Sequence, residues 1–330
     1  MKQIFFILTF SLTLLLSVEP TRIMPLGDSI TYDDSYADYP SPRPASLRHA
    51  YRDYLWYKLK DAHYHVDFVG SRNAGSAIVP PFDPHNEGYP GWTSQQIANI
   101  TYSKLIANPP DIVLLHIGSN DWDDDVRGIN NILNEIARYE QNYHHPIKVI
   151  LARIINRRQH YDWISSLNRN IQTIANNRIR SGDNIVVVNM EYGAGIHYTN
   201  DFQDPTHPNN TGYNKMANVW FSALSHILSP VPNQPTSFQV TSLESKMVTL
   251  SWGDTSNNET SYEIYQNGIL IATLSANTTQ YIVTNLKRVT SYTYTIIALN
   301  PQGNSIASSI SVRTKDDYGW LVPVTYIINN

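Results

Sequence analysis

The chain has 330 residues, more than one average domain needs, which predicts one large domain and a smaller one. Hydrophobic residues make up 42% and charged residues 16%, a composition that supports a buried core and argues against broad disorder. The formal net charge of −4 offers no positive field for a polyanion and argues against nucleic acid as a partner.

The first 20 residues are predicted to be a secretory signal peptide. A lysine at position 2 precedes an apolar run from Ile4 to Leu16, and a polar break follows Ser17. The run is short for a membrane span, although an uncleaved anchor is the alternative. No later stretch is long and apolar enough for a transmembrane helix, so we expect a secreted protein without membrane contact after cleavage. Because the chain has no cysteine, its core must stabilise it without disulfides.

Residues 21–229 alternate short apolar strands with longer helical periods, which predicts a three-layer α/β/α sandwich around a parallel sheet. In such sheets, functional residues gather in the loops beyond the carboxyl ends of the strands. The expected strands, rich in β-branched residues, include Val66–Val69, Ile112–Ile117, Val149–Ala152 and Ile185–Val188. Apolar residues recur at helical spacing over 47–59, 94–105, 129–136, 164–175 and 213–224.

The composition changes after the α/β region. Residues 230–235 form a proline-rich linker, and residues 236–314 are threonine-rich and alternate apolar with polar residues, which predicts a small all-β sandwich. Trp252, Leu286 and Tyr292 lie at positions that resemble a fibronectin type III domain. This resemblance implies a spacer or adhesion module for carbohydrate or protein. The tail, residues 315–330, shows no periodic pattern.

Four turns carry the residue types that nucleophilic catalysis needs. Ser29 ends an apolar run in Gly-Asp-Ser, and Gly91 lies in a glycine-rich loop before a helix. Asn120 follows a central strand, while Asp204 and His207 are three residues apart before the last helix. Each turn taken alone has a plain structural explanation, such as a helix cap or a tight turn.

Together and in this order, the turns resemble the four blocks of the SGNH hydrolases, also called the GDSL family, over residues 23–228. The resemblance implies a flavodoxin-like α/β fold. Further segments resemble carbohydrate esterase family three, whose members include acetyl xylan esterases. These segments are Arg22–Thr31, Tyr51-Arg52, Val66–Ser71, Glu87-Gly88, Gly91-Trp92, Pro109–Asp111 and His207–Asn209.

The resemblance implies a role for each residue of the four blocks. Ser29 would be the nucleophile, His207 the base, and Asp204 the group that orients His207. The oxyanion would bind the backbone N–H groups of Ser29 and Gly91 and the side-chain amide of Asn120. This mechanism requires neither a metal ion nor an organic cofactor.

Aromatic residues flank the predicted site. Trp92, Tyr32 and Trp122 are candidate substrate-binding residues because aromatic rings stack on sugars, although packing within the protein is equally compatible with the sequence. The proline-rich segment 31–47 lacks the glycines expected after the first block of the family, and it bears on substrate preference more than on mechanism.

The favoured function is a secreted serine esterase that removes O-acetyl groups from a xylan-type polysaccharide. Within the same superfamily, hydrolysis of a lipid or aryl ester is an alternative, because one fold serves many esters. A second alternative is an inactive secreted binding protein that acts through the fibronectin type III domain.

Overall fold

The computed structural model describes residues 19–39 and 41–316. Most of the predicted signal peptide and most of the tail lie outside these residues. The described chain divides into two compact units, one of residues 20–230 and one that begins at Val231. In the described part of the chain, no helix has both the length and the apolar character that a membrane span requires.

The first unit is built on a mostly parallel sheet. The strands follow the spatial order β3, β4, β1, β5, β6 and β7, and β2 pairs with the first half of β1. The central strands β1 and β5 are buried along nearly their whole length. The strands are β1 (Thr21–Gly27), β2 (Val66–Phe68), β3 (Arg72–Asn73), β4 (His85–Gly88), β5 (Ile112–His116), β6 (Lys148–Arg153) and β7 (Ile185–Asn189).

Helices cover both faces of this sheet. Alternate residues of each strand point to opposite faces, so that Val113 and Leu115 of β5 pack with α3, α4 and α5, whereas Ile112 and Leu114 pack with α2 and α7. The predicted α/β/α architecture is confirmed. The helices are α1 (Ser29–Tyr32), α2 (Arg52–Asp61), α3 (Ser94–Ala107), α4 (Arg127–Tyr143), α5 (Asp162–Arg180), α6 (Met190–Gly193) and α7 (Asn210–Ser225).

Three details differ from the sequence prediction. The edge strand β3 pairs antiparallel with β4, so the sheet is not wholly parallel. Part of the glycine-rich segment before Gly91 is the strand β4, which pairs with the end of β1. Leu47 lies outside α2 and is 41% exposed, because Arg48 is extended and Ala50 has a positive φ of 54°. These conformations interrupt the helical period that the apolar spacing indicates.

The second unit is a sandwich of two antiparallel sheets. One sheet has the order β11, β10, β13, β14, with β15 also on β13, and the other has the order β12, β9, β8. Trp252 on β9 is buried between them, and the Tyr292 hydroxyl accepts a hydrogen bond of 2.9 Å from the Lys287 N–H. The strands are β8 (Thr236–Leu243), β9 (Val248–Gly253), β10 (Ser261–Gln266), β11 (Ile269–Ser275), β12 (Gln280–Val283), β13 (Ser291–Asn300), β14 (Gly303–Asn304) and β15 (Ser308–Arg313).

Candidate active site

Ser29 follows the carboxyl end of β1, where the chain turns into the short helix α1. Gly27 pairs with His116 on β5, and a Cβ atom at Gly27 would collide with the His116 carbonyl oxygen. Asp28 caps α1, because its Oδ1 accepts a hydrogen bond of 2.9 Å from the Ile30 N–H. Asp28 rather than Ser29 is therefore the cap of this helix. The Ser29 hydroxyl is available for a contact outside its own turn.

Ser29, His207 and Asp204 form a continuous row of hydrogen bonds. Ser29 Oγ lies 2.9 Å from His207 Nε2, and His207 Nδ1 lies 2.8 Å from Asp204 Oδ2. A carboxylate only accepts hydrogen bonds, so Nδ1 carries the proton and Nε2 accepts from the serine hydroxyl. All three residues are buried. The structure thus brings together the three residues that the sequence proposes for the triad.

Backbone N–H groups hold the carboxylate of Asp204. Its Oδ1 accepts from the N–H groups of Thr206 and His207 at 2.7 and 2.8 Å, and its Oδ2 accepts from the Tyr36 N–H at 2.8 Å. Burial raises the pKa of Asp204, but the hydrogen bonds and charge of His207 and the N–H groups of its own loop outweigh burial and lower the pKa to about 2. Asp204 is therefore ionised at neutral pH.

The loop that carries His207 is fixed at the start of α7. The Asn209 side chain caps this helix by accepting hydrogen bonds from the N–H groups of Thr211 and Gly212 at 3.0 and 3.1 Å. Its own amide donates to the Asn200 carbonyl at 2.8 Å. The cap ties the loop that carries His207 to α7, which restricts the positions that His207 can take.

The predicted oxyanion donors lie at the ends of neighbouring strands. The backbone N–H groups of Ser29 and Gly91 have no acceptor among the described residues. Gly91 adopts a φ of +77°, a conformation that favours glycine. Asn120, after β5, donates one amide hydrogen to the Trp92 carbonyl at 3.0 Å, which leaves its second amide hydrogen for a substrate oxygen.

Asp28 links two of the four blocks. It is fully buried, and its second carboxylate oxygen accepts a hydrogen bond from the Ser119 hydroxyl, next to Asn120. Burial raises the pKa of Asp28, and the hydrogen bonds from Ser119 and the Ile30 N–H oppose that effect only in part. Asp28 has no catalytic role in the predicted site, but the structure shows that it joins the turn of Ser29 to the loop that carries Asn120.

Arg157 is a second residue that sequence reasoning missed. Its guanidinium donates to the Ser119 carbonyl at 2.7 Å and lies 4.0 Å from the centre of the Trp122 ring. Burial lowers the pKa of this guanidinium. Arg157 follows β6 at the carboxyl edge of the sheet, so the rule that functional residues gather at this edge is a signal that could have found it.

The three candidate substrate-binding aromatics have different surroundings. Trp122 is 59% exposed, whereas Trp92 is half-buried and stacks on Tyr89 with ring centres 4.6 Å apart. The Tyr32 ring lies 4.4 Å from the Arg72 guanidinium and is half-buried. Trp122 is thus the most accessible of the three rings.

Residues 19–39 and 41–316 contain no group of three or more histidine, aspartate or glutamate side chains placed to hold a metal ion. The acidic run after Asn120 illustrates the reason. Asp121 accepts a hydrogen bond from the Ser94 N–H at 2.8 Å, and Asp125 pairs with Arg127 at 2.5 Å. These carboxylates stabilise the loop and the start of α3.

Two family models match this chain. A model described as GDSL-like lipase/acylhydrolase matches residues 23–220, and the fibronectin type III domain model matches residues 233–315. The first match runs from within β1 to within α7 and includes every residue proposed for the site. The second covers the sandwich.

Solved structures and a curated relative extend the comparison. The chain is similar to a carbohydrate esterase family 3 from Talaromyces cellulolyticus (26% identity, 63% of this chain, 97% of that chain, TM-score 0.51). It is also similar to a Clostridium thermocellum family 3 carbohydrate esterase (27%, 64% and 100%, TM-score 0.51). A multidomain esterase of Ruminococcus flavefaciens is 29% identical over 65% of this chain and 30% of that protein. The chain spans less than a third of the length of the curated relatives it matches.

Proposed function

This chain belongs to the GDSL-like lipase/acylhydrolase family and carries a fibronectin type III domain, and on that premise we propose that it is an exported serine esterase. Its proposed reaction is the removal of O-acetyl groups from a polysaccharide of the xylan type. The observation that carries the proposal is the row of hydrogen bonds from Ser29 through His207 to Asp204.

The proposed mechanism consists of two acyl transfers. Ser29 Oγ attacks the ester carbonyl while His207 Nε2 takes the hydroxyl proton, and Asp204 stabilises the imidazolium that forms. His207 then returns the proton to the sugar alcohol, which leaves. Water attacks the acetyl-enzyme with His207 again acting as base, and acetate is released. Water is the only second substrate of the reaction.

The charge that develops on the carbonyl oxygen requires donors that are already in place. The N–H groups of Ser29 and Gly91 and the second amide hydrogen of Asn120 supply them in this proposal. Asp28 and Arg157 act indirectly in this proposal. Both form hydrogen bonds with Ser119 and so position the loop that carries Asn120.

The preference for an acetylated sugar rests on the comparisons and on the exposed Trp122. One similar solved structure is an acetyl esterase mutant with an acetate ion, at 26% identity and a TM-score of 0.51, and others are family 3 carbohydrate esterases. The acyl and alcohol groups of this chain's substrate are part of the proposal. The alternatives are a lipid ester, which cleavage of only a long-chain ester would indicate, and an aryl ester, which hydrolysis of p-nitrophenyl acetate without acetate release from xylan would indicate.

Hydrolysis of p-nitrophenyl acetate tests the catalytic assignment. We expect Ser29→Ala to lower kcat by at least about 10⁴-fold, because the nucleophile is lost while the fold is retained. Ser103→Ala, which removes a hydroxyl on the exposed face of α3, is the matched control and should keep the wild-type rate. Equal rates for Ser29→Ala and the wild type would contradict the proposal and favour an inactive binding protein.

Release of acetate from acetylated xylan, compared with cleavage of p-nitrophenyl palmitate, tests the substrate class. We expect acetate release and little cleavage of the long-chain ester. The reverse result would replace the polysaccharide with a lipid ester while leaving the catalytic residues in place.

Export and the role of the sandwich are also proposed. Mass spectrometry of protein recovered from the culture medium should show loss of about the first 20 residues, as for a cleaved signal peptide. An intact, cell-retained chain would contradict export. The sandwich is proposed to be a spacer or a docking module for carbohydrate or protein. A Ser29→Ala protein that insoluble xylan does not retain would exclude the carbohydrate form of that role.

A further inference from the structure

Tyr36 contacts the candidate triad in two ways. Its backbone N–H donates a hydrogen bond of 2.8 Å to Asp204 Oδ2, although the two residues are 168 positions apart. Its ring packs edge-to-face on the His207 ring, with ring centres 5.3 Å apart. The Tyr36 side chain nevertheless remains 67% exposed. Neither contact was expected from the sequence.

The segment that carries Tyr36 is fixed by ion pairs whose aspartates are buried. Arg43 pairs with Asp38 at 2.6 Å and with Asp33 at 3.1 Å, and Arg48 pairs with Asp38 at 3.1 Å. Burial raises the pKa of Asp38, but the two arginines outweigh burial and lower it. The segment therefore holds Tyr36 against the triad through charges that are mostly withdrawn from water.

The contact with His207 places the ring on one side of the substrate. In the proposed mechanism, the alcohol leaves by taking a proton from His207 Nε2, whereas the acyl oxygen lies at Gly91 and Asn120. A ring that packs on His207 therefore borders the alcohol half of the ester. A sugar alcohol offers an apolar face of C–H groups, which an exposed aromatic ring can cover.

We infer that Tyr36 is a positioning residue for Asp204 and a specificity-determining residue for the sugar alcohol, an inference that rests on the proposed function. Its backbone N–H orients Asp204, and its ring forms a wall for the sugar that leaves. The two contacts use different parts of one residue, so they can be separated by substitution.

Alanine removes the ring and keeps the N–H. We expect Tyr36→Ala to lower kcat/KM about tenfold for an acetylated xylo-oligosaccharide, mainly through KM, because one stacking contact is lost. Ethyl acetate has no ring to stack, so its kcat/KM should stay within about twofold of the wild type. Tyr36→Phe keeps the ring and should match the wild type on both esters. The matched control is Tyr39→Ala, which removes an aromatic side chain that is 85% exposed in the same segment.

Proline removes the N–H as well as the ring. Ser35 has φ −143° and ψ 156°, which a residue before proline favours, and Tyr36 is the first residue of a 3₁₀ turn, a position that tolerates proline. Compared with Tyr36→Ala, we expect Tyr36→Pro to lower kcat about a further tenfold on both esters, because Asp204 loses a charge-assisted hydrogen bond. Should this variant not fold, a backbone ester at position 36, made with the hydroxy-acid analogue of tyrosine, removes the same N–H and keeps the ring.

The outcomes separate this inference from the proposed function. A wild-type protein that cleaves neither ester would overturn both. If the wild type is active and Tyr36→Ala lowers kcat/KM equally for the oligosaccharide and for ethyl acetate, the ring has only a structural role and the specificity role is wrong. The positioning role is wrong if loss of the N–H leaves kcat unchanged. The two comparisons that show this are Tyr36→Pro against Tyr36→Ala, and the backbone ester against the wild type.

Discussion

The α/β unit and the sandwich bury polar side chains in different ways. In the α/β unit, Ser29, His207 and Asp204 bond side chain to side chain across distant parts of the chain. In the sandwich, the buried hydroxyls of Ser305 and Thr314 bond to backbone groups. A hydroxyl that satisfies backbone groups stabilises a fold, whereas a row of linked titratable groups can move protons. The difference predicts that ester hydrolysis takes place in the α/β unit. The stability of the sandwich can then be lowered without a change in the rate of hydrolysis.

Substitution of the buried tryptophan of the sandwich tests whether the two units have separate roles. Trp252→Ala should lower the free energy of unfolding of the sandwich by about 4 kcal/mol, because a large buried ring that packs on Phe238 and Tyr262 is replaced by a cavity. The rate of p-nitrophenyl acetate hydrolysis should not change. Calorimetry and initial rates measure the two quantities.

The matched substitution lies in the α/β unit. Trp220 on α7 is fully buried against Tyr51, so Trp220→Ala removes a comparable ring from the unit that carries the triad. Activity should then be lost at a lower temperature than in the wild type. If Trp252→Ala reduces the rate as much as Trp220→Ala, the division of roles between the two units is wrong.

A smaller effect is expected from the asparagine donor. Asn120→Ala should lower kcat by about a hundredfold or more, equivalent to about 3 kcal/mol, because one donor to the developing oxyanion is lost. KM and the free energy of unfolding should change little, since the side chain is half-buried and, among the described residues, makes one hydrogen bond, to the Trp92 carbonyl. Steady-state kinetics and urea unfolding would check both statements.

Asn142→Ala is the matched control for this substitution. The Asn142 amide is exposed on α4 and donates a hydrogen bond of 2.7 Å to the Tyr102 hydroxyl. It lies on a helix and not in the loop that carries Asn120. The variant should keep the wild-type kcat. A loss confined to KM in Asn120→Ala would assign that residue to ground-state binding instead of oxyanion stabilisation.

The smallest effect is the response of the α/β unit to acid. The pKa of Asp204 in the folded protein is about 2, below its ordinary value of 3.8. The ionised carboxylate therefore stabilises the fold fully when the pH is above about 4. This contribution, about 2 kcal/mol, should be lost as the pH falls from about 4 to about 2. Unfolding in urea across this range, followed by a signal of the α/β unit, measures it.

Asp204→Asn shows how much of this pH dependence comes from Asp204. Asparagine does not titrate, so the variant should lose less stability than the wild type over this pH range. An identical pH dependence in the two proteins would show that other carboxyl groups, such as Asp38 and Glu191, whose pKa values are also lowered, account for the acid sensitivity.

Local patterns in the sequence determined the fold and the family. The apolar run at 112–117 predicts the central strand β5 (Ile112–His116), because a strand buried on both faces requires continuous β-branched and apolar residues. Trp252 and Tyr292 similarly identify the fibronectin type III domain, which the family model confirms. The four blocks resemble those of the GDSL family, because each is a short run of neighbouring residues that is recognisable without the tertiary structure, and the family model confirms this resemblance.

Only the tertiary structure decided which residues support the proposed triad. Asp28 meets Ser119 between neighbouring strand ends, Arg157 reaches the same loop from β6, and Tyr36 meets Asp204 from a proline-rich segment. These contacts join positions up to 168 residues apart, and no spacing in the chain encodes them. The physical reason is that periodicity reports which face of an element is buried. It does not report which distant loop will supply a hydrogen-bond partner to a buried carboxylate.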